Sequence, residues 1–137
     1  MKELTVVLLV ASLAGVAAQG RITVWDGVYT EAQAERGRVA YAQSCASCHA
    51  DDLRGRSTAP SLVEESFAFL WEDMSMGDLF ESTRLRMPSD RPGSLTGATY
   101  ADILAFIAQK NGYPAGATEL PTDLAALKRI RITAKPR

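Results

Sequence analysis

Histidine is nearly missing from this chain. His49 is the only one, and cysteine is confined to Cys45 and Cys48. A closed structural zinc site takes four ligands from Cys, His or carboxylate, and two thiols with one imidazole cannot complete a Cys/His set. Charge of one sign is also lacking: 15 basic against 16 acidic residues give a formal net charge of −1. That balance offers no electrostatic reason for nucleic-acid binding. Internal repeats and low-complexity runs are absent, so one domain with one site is expected. After residue 18 there is no long apolar run. The one such run, Leu4 to Ala18, follows Lys2 and ends in Gly15-Val16-Ala17-Ala18. It is short for a membrane span and reads as a secretory signal peptide cut after Ala18. Cleavage after Ala17 or Gly20, and an uncleaved anchor, are the alternatives.

What the chain does have is Cys45-Ala46-Ser47-Cys48-His49. Two cysteines three apart, with histidine directly after the second, form the attachment motif for a c-type haem. On one helical turn both thiols can bond the two vinyl groups of a single haem, and His49 can supply an axial nitrogen. A thioredoxin-like dithiol would need a βαβ pattern around it, and the residues before Cys45 read as helix. A Cys45–Cys48 disulfide would close a very short loop and remove little unfolded-state entropy. Because His49 is the only imidazole, a sixth ligand from this chain is Met, another side chain, or nothing. Of the four methionines, Met1 lies in the leader, leaving Met74, Met76 and Met87.

The remaining chain divides into short helices. Thr30 with Gln33 reads as a capping box opening a helix from Glu31 towards Cys45, with Ala34, Gly37, Tyr41 and Cys45 on its buried stripe. Glycine inside a helix costs about 1 kcal/mol relative to alanine, so Gly37 suggests a close helix crossing. A polar loop, Ala50 to Ser57, leads to Pro60. Phe67, Phe69, Leu70 and Trp71 form the densest aromatic cluster and are expected in the core and as an apolar wall for haem. Trp71 has an indole N–H that could serve a haem propionate, although buried tryptophan needs a partner in any fold. Ser75 with Asp78 is a second capping box, opening a helix with Met76, Leu79, Phe80 and Thr83 on one side. Two prolines and a glycine then shape the loop Met87 to Leu95. Thr96 caps a helix carrying Tyr100, Ile103, Leu104 and Ile107, which Asn111-Gly112 and Pro114 end. Beyond it, Pro121 could start a short helix through Leu127, and Ile130-Arg131-Ile132 alternates like a strand.

These features resemble the class I cytochromes c over about Thr30 to Pro114. The loop Met-Pro-Ser-Asp-Arg-Pro-Gly-Ser-Leu, followed by Tyr-Ala-Asp-Ile-Leu-Ala-Phe-Ile and Asn-Gly-Tyr-Pro, is similar to periplasmic cytochromes associated with PQQ-dependent alcohol dehydrogenases. The resemblance implies an all-α fold in which N- and C-terminal helices cross around one covalently bound haem c. With the signal peptide over 1–18, the cytochrome domain is expected over 19–114, followed by a basic extension over 115–137. The family crosses its helices at a glycine and an aromatic before the first cysteine, offsets matched by Gly37 and Tyr41. It implies that the Pro60 carbonyl orients His49, and that Met87, followed by Pro88, is the axial methionine. Met76 is more naturally core, and Met74 lacks that context. Gly97 and Ala98 depart from the pattern, standing in a first turn that often carries acidic residues.

The cofactor-binding set implied is Cys45, Cys48, His49, Met87, Pro60, Trp71 and Arg91, with His49 and Met87 on the iron. The function implied is electron transfer rather than enzymatic catalysis, by a monomer exported to the periplasm. Its redox partners would be a PQQ-dependent dehydrogenase and a cytochrome oxidase. A haem enzyme or gas sensor with a displaceable sixth ligand is one alternative, and a fixed subunit of a quinoprotein dehydrogenase is another. Arg84, Arg86 and Arg91 flank Met87 and suggest a docking face, with a propionate or Asp90 as the other partner for Arg91.

Overall fold

The computed structural model describes residues 21–137; the leader expected over 1–18 lies outside them. Among the described residues the order is β1 (Ile22–Thr23), α1 (Glu31–Ser44), α2 (Ala46–His49), α3 (Glu64–Trp71), α4 (Met76–Arg86), α5 (Gly97–Lys110), α6 (Leu124–Lys128) and β2 (Ile130–Arg131). This is the all-α architecture expected from the sequence, with one two-stranded parallel pairing, Ile22 opposite Ile130 and Thr23 opposite Arg131. No described helix is long and apolar enough to cross a membrane.

The architecture rests on α1 crossing α5. Thr30 starts α1 by accepting the Gln33 N–H on its hydroxyl. One face of α1 buries Ala34, Gly37 and Tyr41, spaced three and four apart. On α5 every residue from Ile103 to Ala108 is buried, as expected of a helix enclosed on most sides. At the crossing a Cβ on Gly37 would overlap the backbone carbonyl of Asp102 and press on Phe106 Cβ. Tyr41 meets Phe106 with ring centroids 5.4 Å apart. Outside the core, the Arg36 guanidinium makes two bonds of 3.0 Å to the Asp102 carboxylate and one of 2.8 Å to Glu119.

Three local expectations are corrected. The capping box at Thr30 is half formed, because Gln33 does not reach back to the cap. Its buried amide donates to the Leu120 carbonyl at 3.0 Å and accepts the Leu120 N–H at 2.7 Å. A buried amide with two backbone partners in reach satisfies itself there. The aromatic cluster also splits. Phe67 is buried and Trp71, one turn on, packs partly against the core, but Phe69 is 88% exposed and Leu70 50%. With 3.6 residues per turn, one short helix cannot direct all four side chains to one side. Finally, the short helix expected from Pro121 through Leu127 is present but starts later, capped by Asp123 and running over Leu124–Lys128.

The segment after Pro114 packs onto the helical body. Leu120, Leu127, Ile130 and Ile132 are buried. The backbone of α6 lies so close to α4 that a Cβ on Gly77 would run into Lys128. Ser75 and Asp78 form a full capping box at the start of α4. The Ser75 hydroxyl and N–H, with a smaller contribution from Lys128, hold the Asp78 carboxyl below the usual carboxylate range.

Two outcomes follow. Gly37→Val forces a branched side chain onto a backbone carbonyl that cannot rotate away. The loss should reach the upper end of overpacking costs, about 3 kcal/mol, lowering the melting temperature by roughly 10 °C in a calorimetric scan. Asp78→Asn should cost at most about 1 kcal/mol, the usual worth of a cap. A lowered folded-state pKa means that this stability is fully present above an unfolded value of about 3.9 and is lost as pH falls through the folded one. Urea melts of both proteins should therefore differ at neutral pH and converge in acid.

Candidate functional site

The attachment turn begins where α1 ends. Cys45 donates its N–H to the Tyr41 carbonyl at 2.8 Å, and its own carbonyl accepts from Cys48 and His49 at 3.2 and 2.9 Å. This bend separates α1 from the four-residue α2 and puts both thiols and the imidazole on one turn. Both cysteines are free thiols, Cys45 half-buried and Cys48 exposed. Burial, with the neighbouring Cys48 as a smaller cause, pushes the Cys45 thiol up to about 11. The turn is closed by Tyr41, whose hydroxyl donates to the Ala50 carbonyl at 2.7 Å. Burial raises the Tyr41 phenol well above its ordinary range, so it stays protonated and keeps donating.

His49 is buried, and its Nδ1 lies 2.9 Å from the Pro60 carbonyl oxygen. A carbonyl only accepts, so that contact places the proton on Nδ1 and leaves the Nε2 lone pair for a metal. No side-chain nitrogen or oxygen among the described residues is both buried and without a partner. Nε2 is occupied by no described hydrogen bond. The carbonyl is aimed by a tight loop. Ala50, Leu53 and Ser57 all have positive φ, and Gly55, with φ +81°, donates its N–H to the His49 carbonyl at 2.9 Å. A Cβ on Gly55 would strike the Ala59 carbonyl and the Pro60 backbone.

Cys45, Cys48, His49 and Pro60 thus form one constellation. Met87 stands on a different support. It is the C-cap of α4, donates its N–H to the Thr83 carbonyl at 2.8 Å and is half-buried. Its carbonyl accepts the Tyr100 hydroxyl at 2.6 Å. Met76 is 1% exposed within the core and Met74 is 40% exposed. Trp71 ends α3, and its indole N–H has no partner among the described hydrogen bonds. Arg91 is exposed in the loop after Met87, its Nε 3.5 Å from the Asp90 carboxylate.

Sequence reasoning took Tyr41 and Tyr100 as apolar stripe residues and Asn111 as a helix stop. Their polar atoms are the part it missed. Asn111 accepts the Glu64 N–H at 3.0 Å and donates to the Leu62 carbonyl at 2.9 Å, tying the chain after Pro60 to the end of α5. The signal was available: a buried tyrosine hydroxyl usually finds an acceptor.

The geometry fits a covalently held haem. Two unpaired thiols and an imidazole with a free Nε2 share one turn, and the other ring nitrogen is already bonded. Among the described residues no group of three or more His, Cys, Asp and Glu is arranged to hold an ion, so these residues do not form a closed ion cage.

A family model described as cytochrome C oxidase, cbb3-type, subunit III matches residues 32–107. No curated protein and no solved structure gave a match. The family match and the motif together assign one haem c, bound covalently through Cys45 and Cys48. Cys45→Ala or Cys48→Ala should leave at most one thioether. Haem staining after denaturing electrophoresis and acid-acetone extraction checks this: wild type should keep all its haem, and the double variant should lose it.

Proposed function

The chain belongs to this cytochrome c family, and on that premise we propose that it is an exported, monomeric electron carrier with His49 and Met87 as the axial ligands. Its activity is haem-based electron transfer, as the family implies. The observation that carries the reading is the His49 ring, held at Nδ1 by the Pro60 carbonyl beside two free thiols. Bound haem supplies a reversible one-electron couple, and every other part of the task falls to the chain.

Tyr41 and the Gly55 loop hold the imidazole at one angle, and the Pro60 carbonyl increases its basicity as a ligand. Of the three methionines in the described residues, Met76 is enclosed by the core, whereas Met87 closes a helix beside a shaped loop. An imidazole and a thioether are neutral donors that suit both oxidation states, and His/Met ligation raises the reduction potential. Filling both axial positions favours a carrier over a haem enzyme or gas sensor. Trp71, whose indole N–H is free of described partners, and the exposed Arg91 would serve the propionates.

Residues 1–18 would then be the export signal and 19–114 the cytochrome domain, with 115–137 as a basic extension. Arg84, Arg86 and Arg91, all exposed around Met87, would face partners, since arginine is favoured at interfaces. The loop resemblance supports a periplasmic PQQ-dependent dehydrogenase as the donor, and a cytochrome oxidase would be the acceptor.

Met87→Ala tests the ligation. It should abolish the long-wavelength methionine-to-iron charge-transfer band of the ferric protein and open the iron to carbon monoxide. The potential should fall on the order of 0.1 V, well inside the ~0.8 V that axial ligands span. Met74→Ala and Met76→Ala should keep the band.

A further inference from the structure

Tyr100 lies in the first turn of α5, 1% exposed, and its hydroxyl donates to the carbonyl of Met87 at 2.6 Å. Its ring stands edge-on to Phe80 of α4, with centroids 6.4 Å apart. The tyrosine therefore bridges the helix before Met87 and the helix after the loop. Around it the backbone of Met87 is held from every side. The Met87 N–H reaches the Thr83 carbonyl at 2.8 Å, its carbonyl takes a second, longer bond from the Gly93 N–H at 3.4 Å, and the Arg91 N–H closes on the Pro88 carbonyl at 2.8 Å. Of these, only the Tyr100 bond connects the Met87 peptide to α5, the helix that crosses α1 at Gly37.

We infer that Tyr100 is a positioning residue for the sixth ligand. By pinning the Met87 carbonyl to α5, it holds the thioether on the iron and restrains the state in which Met87 has swung away. The inference rests on Met87 being the axial ligand.

The physical logic is a population argument. An exogenous ligand binds only when the thioether is off, so its apparent dissociation constant is the intrinsic one divided by the fraction in that state. Removing the phenol hydroxyl leaves the peptide carbonyl with one long bond. A net hydrogen bond is worth about a fivefold factor in such an equilibrium. The gain in population and the gain in apparent affinity are then the same factor.

The experiment is a cyanide titration of the ferric holoprotein, read optically, on wild type and Tyr100→Phe, with Tyr29→Phe and Met87→Ala alongside. Tyr29 is a matched control, because its buried hydroxyl also donates to a backbone carbonyl at 2.6 Å, that of Tyr113, away from the loop. Tyr100→Phe should bind cyanide about fivefold more tightly and lose its charge-transfer band at a lower temperature than wild type. Tyr29→Phe should lower the global melting temperature while leaving cyanide affinity within error of wild type. Wild-type affinity in Tyr100→Phe, or equal tightening in Tyr29→Phe, overturns the positioning role. If Met87→Ala loses the band while Tyr100→Phe behaves as wild type, only the role of Tyr100 falls. A band that survives in Met87→Ala overturns the ligation itself and the inference with it.

Discussion

The absence of one Cβ sets the geometry of this protein. Gly37 allows α1 to rest on the backbone of α5, and a methyl group there would overlap the Asp102 carbonyl. The rest of the site depends on that contact. α1 runs directly into Cys45, so its angle against α5 fixes where the thiols and His49 emerge. α5 carries Tyr100 at one end and Asn111 at the other, and these side chains reach the Met87 carbonyl and the loop beyond Pro60. A close backbone crossing of two helices thus holds both candidate ligand segments through polar contacts. Dispersion between rings, such as Tyr41 on Phe106, fills the remaining space.

The chain beyond Pro114 reinforces the same frame from outside. Gln33, buried on α1, exchanges two hydrogen bonds with Leu120, and Arg36 on the next turn spans Asp102 and Glu119. Further on, α6 lies against Gly77 and β2 pairs with β1. The buried amide costs less than it would alone because both its groups have partners. The exposed ion pairs contribute little individually, but they span three segments of chain at the rim of the crossing.

Much of this was legible in the sequence because it is local. The Cys45–His49 motif, the Ser75–Asp78 box, the Thr96 cap and the Asn111-Gly112 stop are each set by residues within one or two turns. Gly37 was legible because glycine inside a helix is costly unless something replaces the missing contacts. The rest depended on partners far along the chain. Nothing near Gln33 indicates that its amide is taken by Leu120, 87 positions away. The hydroxyls of Tyr41 and Tyr100 were hidden within an apolar count, since periodicity records that a ring is buried and not where its oxygen ends. Phe69 and Leu70 were misplaced because composition gave a cluster where an eight-residue helix has two faces.

The pairing of Ile22 with Ile130 carries a consequence for the order of events as the protein is made. A chain appearing N-terminus first completes α1 and its two cysteines early, yet α1 has no partner until α5 follows. The first strand waits longer, until Ile130 and Arg131 have followed. Closing so large a loop adds an entropic delay. Until α5 follows, Cys45 and Cys48 stand at the end of an unpartnered helix. The order of the elements therefore leaves both thiols in an open chain until α5 is available to pack on α1.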